Sequence, residues 1–291
     1  MNRTTAMSQL QILTLTLAIT TTAIAQEDRG RISAGRPFRD AQRFAVMANQ
    51  PTGLLIPLYI YPANIHTNQE YNRLIDLKLT HPRVPVWAIV NPASGPGKEV
   101  DANYTKAIDR LRGAGIVTIG YVSTEYGKRD PNLVTKDLDI WQTLYPKIQG
   151  VFFDEMNYED NAAAVERYQG YRRAATERGM WPTISNPGTA TPERFFAGEV
   201  ADVIVVHEGL EYPSEATLKG DYFGGYADYP PWARSVLMHT RPKFDAAEFA
   251  RIKKYSRWVY VTDDVFRDVK KDNPWDSLPT YLETMFEALD Q

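Results

Sequence analysis

The sequence predicts an α/β chain folded as a single (β/α)8 barrel, and three observations predict it. Eight short apolar runs follow one another along the chain. Segments with helical spacing separate most of them. The runs are nearly continuous in apolar residues instead of alternating with polar ones, as strands covered by helices on both faces must be.

In order, the runs are GLLIPLYIY (53–61), PVWAIVN (85–91), IVTIGYVS (116–123), GVFFDE (150–155), WPTISN (181–186), ADVIVVHE (201–208), RSVLMHT (234–240) and WVYVTDD (258–264). Helical spacing of i, i+3, i+4 joins Tyr71, Leu74 and Ile75 after the first run, then Tyr104, Ile108 and Leu111, then Leu138, Trp141 and Leu144. It recurs at Ala164, Tyr168, Tyr171 and Ala175, at Phe249 and Ile252, and after the last run at Tyr281, Leu282, Met285, Phe286 and Leu289. An open doubly wound sheet is the competing topology. It carries fewer strands as a rule and a glycine-rich phosphate loop, and neither GxGxxG nor GxxxxGK[ST] occurs here.

Ahead of the barrel, Arg3, the apolar stretch Leu10–Ala25 and the small-x-small site Ala23-Ile24-Ala25 read as a cleaved secretory signal over residues 1–25. Residues 26–50 are polar, with Gly and Arg, and read as an N-terminal extension; 51–291 is the barrel domain. A secreted or periplasmic protein is expected, with no membrane partner. The absence of cysteine excludes disulfides, thiolate metal sites and a cysteine nucleophile. A formal net charge of −3 gives no reason to expect nucleic acid.

Barrel enzymes work at the carboxyl ends of their strands. There the sequence places Asp154-Glu155 after the fourth run and Glu208 after the sixth. Side chains adjacent along a strand face opposite ways, so Asp154 and Glu155 can share the axis only if the strand has already turned. Acidic residues also cap helices, but the next helical segment begins nearer Glu159, so capping explains the pair poorly. Two carboxylates across a groove suit glycosidic cleavage: one protonates the leaving oxygen, the other serves as nucleophile or base.

Aromatic residues make up 12% of the chain, including 17 Tyr and 6 Trp, and many fall near the strand ends. Their faces stack on sugar rings. The residues expected to line a saccharide groove are Tyr59, Tyr61, Asn91, Tyr121, Asn186, His207, Tyr222, His239 and Asp263. His207, His239, Asp154 and Asp263 could also be read as metal ligands. With four histidines in all and only tyrosines ending the first run, no metal and no cofactor are expected.

Together, LLIPLYIYP, WAIVNPASGPG, GYVSTEYG, GVFFDEM, TISNPGT and VIVVHEG resemble the spherulin-4 family, whose characterised members form glycoside hydrolase family 135. The likeness runs from about Gly53 to the C-terminus. It implies a TIM-barrel endo-acting hydrolase of partly deacetylated α-1,4-linked galactosamine and N-acetylgalactosamine polymers, as in fungal biofilms. It also implies that Asp154, Glu155 and Glu208 line the groove. The related endo-α-1,4-polygalactosaminidases suggest Asp154 as nucleophile and Glu208 as acid/base. The leader looks bacterial and keeps a second polymer in view, a bacterial exopolysaccharide of similar linkage. The expectation is therefore a secreted, monomeric endo-glycosidase. Two alternatives stand beside it: a non-catalytic polysaccharide-binding envelope or spore-coat protein, and a metal-dependent polysaccharide hydrolase or deacetylase.

Overall fold

The structure, a computed structural model, describes residues 38–291 except 222, 223, 227 and 269–271. The leader expected at 1–25 and the candidate groove residue Tyr222 lie outside the described residues. Phe38–Asn49 forms helix α1, in a stretch for which the sequence suggested no element. The barrel unit runs from Ala48 to Gln291.

Its elements alternate: β1 (Gly53–Pro57), α2 (Gln69–Thr80), β2 (Val86–Val90), α3 (Ala102–Gly113), β3 (Val117–Ser123), α4 (Pro131–Leu144), β4 (Gly150–Asp154), α5 (Ala162–Glu177), β5 (Thr183–Ser185), α6 (Glu193–Ala197), β6 (Val203–Gly209), α7 (Glu215–Lys219), β7 (Arg234–Met238), α8 (Ala246–Lys253), β8 (Trp258–Val261) and α9 (Leu282–Leu289). The eight strands pair in parallel in sequence order, and β8 pairs with β1 to close the barrel. Each of the eight apolar runs supplies one strand. The connections α6 and α7 are five residues each, too short to show a helical period in sequence. Among the described residues, no helix is long and apolar enough to cross a membrane.

Alternation along the strands decides what faces the axis. On β4, Phe152 points inward, with its ring 6.2 Å from that of Tyr121, while Phe153 points outward onto Tyr171 of α5 at 5.7 Å. Trp87 and Trp258 stack inside the barrel. Outward-facing Gly120 gives the Trp141 ring room to lie on β3, because a Cβ there would come within 2.6 Å of that ring. Trp141 Nε1 also donates to the Tyr121 carbonyl at 2.9 Å, so α4 is pinned beside a rim tyrosine. N-caps from Asn68, Asp101, Asp130, Asn161 and Asp245 start α2, α3, α4, α5 and α8, each accepting a backbone N–H that the first turn leaves unpaired.

Candidate active site

Asn161, not the acidic pair, caps α5: its Oδ1 accepts from Ala164 N at 2.8 Å. Asp154 and Glu155 are left free of that duty. β4 ends at Asp154, and Glu155 takes φ 56°, a left-handed conformation uncommon for a residue with a Cβ. That turn resolves the facing problem. Ser123 is in register with Asp154 and so points the same way, and Ser123 Oγ donates to Glu155 Oε2 at 2.5 Å. Both carboxylates of the pair therefore stand on the inner side of the barrel mouth.

Glu208 arrives from β6, where a register shift between Val205 and His207 sets Glu208 opposite Leu237 of β7. Asn186, just past β5, joins the two sides. Its Nδ2 donates to Asp154 Oδ1 at 2.8 Å and to Glu208 Oε2 at 2.6 Å. Those two oxygens share one nitrogen, so they lie no further apart than the two bonds laid end to end, 5.4 Å. Asn186 Oδ1 accepts from Gly188 N at 2.9 Å, which fixes the amide orientation. The amide expected to meet sugar is thus a bridge between carboxylates.

The two acids differ in electrostatics. Burial, then the charge of Asp154, pushes Glu208 up to about 7, against the Asn186 bond that opposes the rise. Burial also raises Asp154, but hydrogen bonds from the Tyr121 hydroxyl, the Glu155 backbone N–H and Asn186 favour its ionised form. With two interacting carboxyls, ionisation of one holds the proton on the other. The donors favour Asp154 as the ionised member.

Tyr59 and Tyr121 pack edge to face at 5.8 Å, and burial first, then the Asp154 charge, holds both phenols well above the usual tyrosine range. His239 is buried, its ring flanked by Phe266 and Trp275, with Nδ1 3.0 Å from Thr240 Oγ1. Burial, then His207, keeps it neutral by lowering its pKa. Each of the remaining described candidates has a polar group engaged by a neighbour other than the three acids. His207 Nε2 meets the Glu211 carbonyl at 2.9 Å, Asn91 Oδ1 accepts from Gly95 N, the Tyr61 hydroxyl donates to Asp101 Oδ2, and Asp263 accepts from the Thr280 hydroxyl and N–H. Among the described residues, no group of three or more His, Cys, Asp and Glu stands close enough together to hold a metal ion.

Tyr126 was not singled out in the sequence. It sits in the loop after β3 at φ 54° and is 48% exposed, and its phenol is raised by burial and then by the charges of Glu155, Asp154 and Glu208. Exposed Tyr158, in the loop after β4, lies close enough to add to that shift. The signal was present as Tyr126 in GYVSTEYG, but nothing in the sequence marks a loop tyrosine as facing the mouth.

A family model described as Spherulation-specific family 4 matches residues 53–289. Spherulin-4 of Physarum polycephalum is 31% identical over 177 residues, 60% of this chain and 49% of that protein, so the chain spans about half the length of this relative. Among solved structures, Aspergillus clavatus Sph3 in complex with GalNAc superposes with a TM-score of 0.69 at 21% identity, covering 84% of this chain and 100% of that one. The FMN-binding beta-glucuronidase from Facaelibacterium prausnitzii L2-6 gives a TM-score of 0.51 at 12% identity, covering 82% of this chain and 44% of that one. Identities this low establish the barrel alone. The family model, spanning all eight strands with Asp154, Glu155 and Glu208 among them, establishes more: the chain belongs to the spherulin-4 family.

Proposed function

We propose that this protein is a secreted endo-acting glycoside hydrolase of α-1,4-linked galactosamine and N-acetylgalactosamine polymers. The observation that carries the proposal is the Asn186 bridge, whose amide nitrogen hydrogen-bonds both Asp154 and Glu208 just past the carboxyl ends of the strands. Asp154, favoured as carboxylate, is the nucleophile. Glu208, pushed up to about 7 and so partly protonated at neutral pH, is the general acid that releases the leaving sugar and then the base that activates water. That their bridged oxygens lie at most 5.4 Å apart fits the shorter of the two carboxyl separations, about 5–5.5 Å, found in enzymes that retain anomeric configuration, better than the roughly 6.5–9.5 Å of inverting ones. No cofactor enters the scheme.

Two further points support an amino-sugar polymer. Asp154, Glu155 and Glu208 gather three carboxyl groups at the barrel mouth, and the charge of ionised Asp154 among them suits a substrate carrying ammonium groups. The structural neighbour Sph3 was solved with GalNAc, a sugar this reading extends to the present cleft. The test is digestion of defined amino-sugar polymers followed by mass spectrometry and NMR of the first-formed anomer. Internal cleavage of a galactosamine-containing polymer with retained configuration is expected. Binding without any product would replace the hydrolase with a polysaccharide-binding protein, and loss of activity on chelation, restored by zinc, would replace it with a metal-dependent hydrolase.

Tyr126 is the expected stacking platform beside the acids. Tyr126→Ala should raise KM for polymer about fivefold, roughly 1 kcal/mol of lost stacking, with kcat nearly unchanged. Steady-state kinetics on long and short oligomers checks this.

A further inference from the structure

Glu155 adopts a backbone conformation that its side chain disfavours, and something must hold it there. The neighbouring groups that can do so are buried and lie away from the cleft surface. Thr124, the residue after β3, and Tyr168, on α5, are both fully buried. Thr124 Oγ1 lies 2.9 Å from the Asp154 carbonyl, 2.7 Å from the Glu155 carbonyl and 2.7 Å from the Tyr168 hydroxyl. Tyr168 Oη in turn accepts from Asn157 N at 2.8 Å.

Counting protons favours one direction through this chain. Thr124 has one hydroxyl proton, and two of its three neighbours are carbonyls that can only accept. With that proton turned to the carbonyls, the Tyr168 hydroxyl is left to donate, to Thr124 Oγ1 and, at 3.5 Å, to the Glu155 carbonyl. So Thr124 donates to the carbonyls, Tyr168 donates to Thr124, and Asn157 N–H donates to Tyr168. The backbone completes the clasp: Thr124 N donates to the Asp154 carbonyl at 3.0 Å, and Tyr126 N donates to the Glu155 carbonyl at 2.7 Å. Tyr126 reaches that carbonyl because Glu125 and Tyr126 are themselves left-handed, at φ 49° and 54°. Two strained turns, one after β3 and one after β4, are locked to each other through the peptide groups of Asp154 and Glu155.

We propose that Thr124 and Tyr168 are positioning residues, which hold the Glu155 turn and thereby keep both Asp154 and Glu155 on the inner side of the barrel mouth. The claim rests on the hydrolase reading for its kinetic consequence, but not for its structural one. Neither side chain touches the cleft; both act through the backbone of Asp154, Glu155 and Asn157.

The experiment compares Thr124→Val, which keeps shape and removes the hydroxyl, with Thr124→Ser, which keeps the hydroxyl, and with Tyr168→Phe. On galactosamine polymer, Thr124→Val and Tyr168→Phe should lower kcat about 10- to 100-fold with KM little changed, as expected when catalytic groups shift by a fraction of an ångström. Thr124→Ser should keep kcat near that of the wild type. A folded Thr124→Val, shown by a cooperative melt, with wild-type kcat would overturn the proposal. Crystal structures of the three variants give a readout that needs no activity. Glu155 should leave the left-handed region and lose its Ser123 bond in Thr124→Val or Tyr168→Phe, but not in Thr124→Ser. Retention of the wild-type turn in all three overturns the proposal even if the wild type proves inactive, whereas an inactive wild type whose turn responds as expected counts only against the hydrolase reading.

Discussion

Asp154→Asn is expected to lower kcat on galactosamine polymer by at least about 10³-fold, some 4 kcal/mol of transition-state stabilisation, while leaving the barrel folded. Asparagine occupies the same volume and can still meet Tyr121 and Asn186, so the change removes charge and nucleophilicity without opening a cavity. Asp154 stands among three donors: the Tyr121 hydroxyl, the Glu155 backbone N–H and Asn186 Nδ2. Such a set has most to offer an anion, and an anion at the floor of a cleft is what attack at an anomeric carbon requires. Single-turnover kinetics separates the outcomes. A glycosyl-enzyme burst in the wild type and none in the variant supports a nucleophile, whereas a variant with near wild-type kcat moves the nucleophile off Asp154. Because the acids work as a unit, the Asp154→Asn, Glu208→Gln double variant should be scarcely slower than either single one.

How much of this could be read in the chain follows from the kind of information each feature needs. The strands were legible because a parallel strand covered on both faces is a continuous apolar run, and GVFFD and VIVVHEG each read that way. Their exact ends were not: GLLIPLYIY is apolar to Tyr61, yet β1 stops at Pro57, because an apolar run does not record where burial ends, and past buried Leu58 the chain emerges through half-buried Tyr59 and Ile60 to exposed Tyr61. The helices α6 and α7 left no trace, being shorter than two turns. In the site, the types and approximate places of Asp154, Glu155 and Glu208 were visible at strand ends. The left-handed turn at Glu155 was not, since glutamate carries no signature of positive φ in the way glycine does. Asn186 appeared as one more polar rim residue; that its amide spans two carboxylates depends on the proximity of β4, β5 and β6, which no local pattern records. Thr124 and Tyr168, 44 residues apart, are invisible as partners for the same reason.

Glu208→Gln should also lower kcat about 10³-fold, and unlike Asp154→Asn it should change the pH profile in a way that identifies the role. With its carboxyl pushed up to about 7, Glu208 is protonated in mildly acid solution, so wild-type kcat/KM is expected to fall as pH rises through about 7, when the acid is lost. In Glu208→Gln this alkaline limb should vanish. An aryl glycoside with a good leaving group, which needs no proton, should recover much of its first-step rate; an unchanged alkaline limb, or no recovery, would remove Glu208 from the acid/base role. Stability offers a parallel readout. A carboxyl raised above its unfolded value keeps a proton that the unfolded chain has released, so the folded state binds more protons and stability falls with rising pH. For Glu208 that loss begins near the ordinary value of 4.5 and is complete above about 7. The difference in Tm between Glu208→Gln and the wild type should therefore grow in favour of the variant across this window, with other carboxyls cancelling between the two proteins. A flat difference would mean that Glu208 titrates like an exposed carboxylate, and the proton needed by the leaving oxygen would have to come from elsewhere.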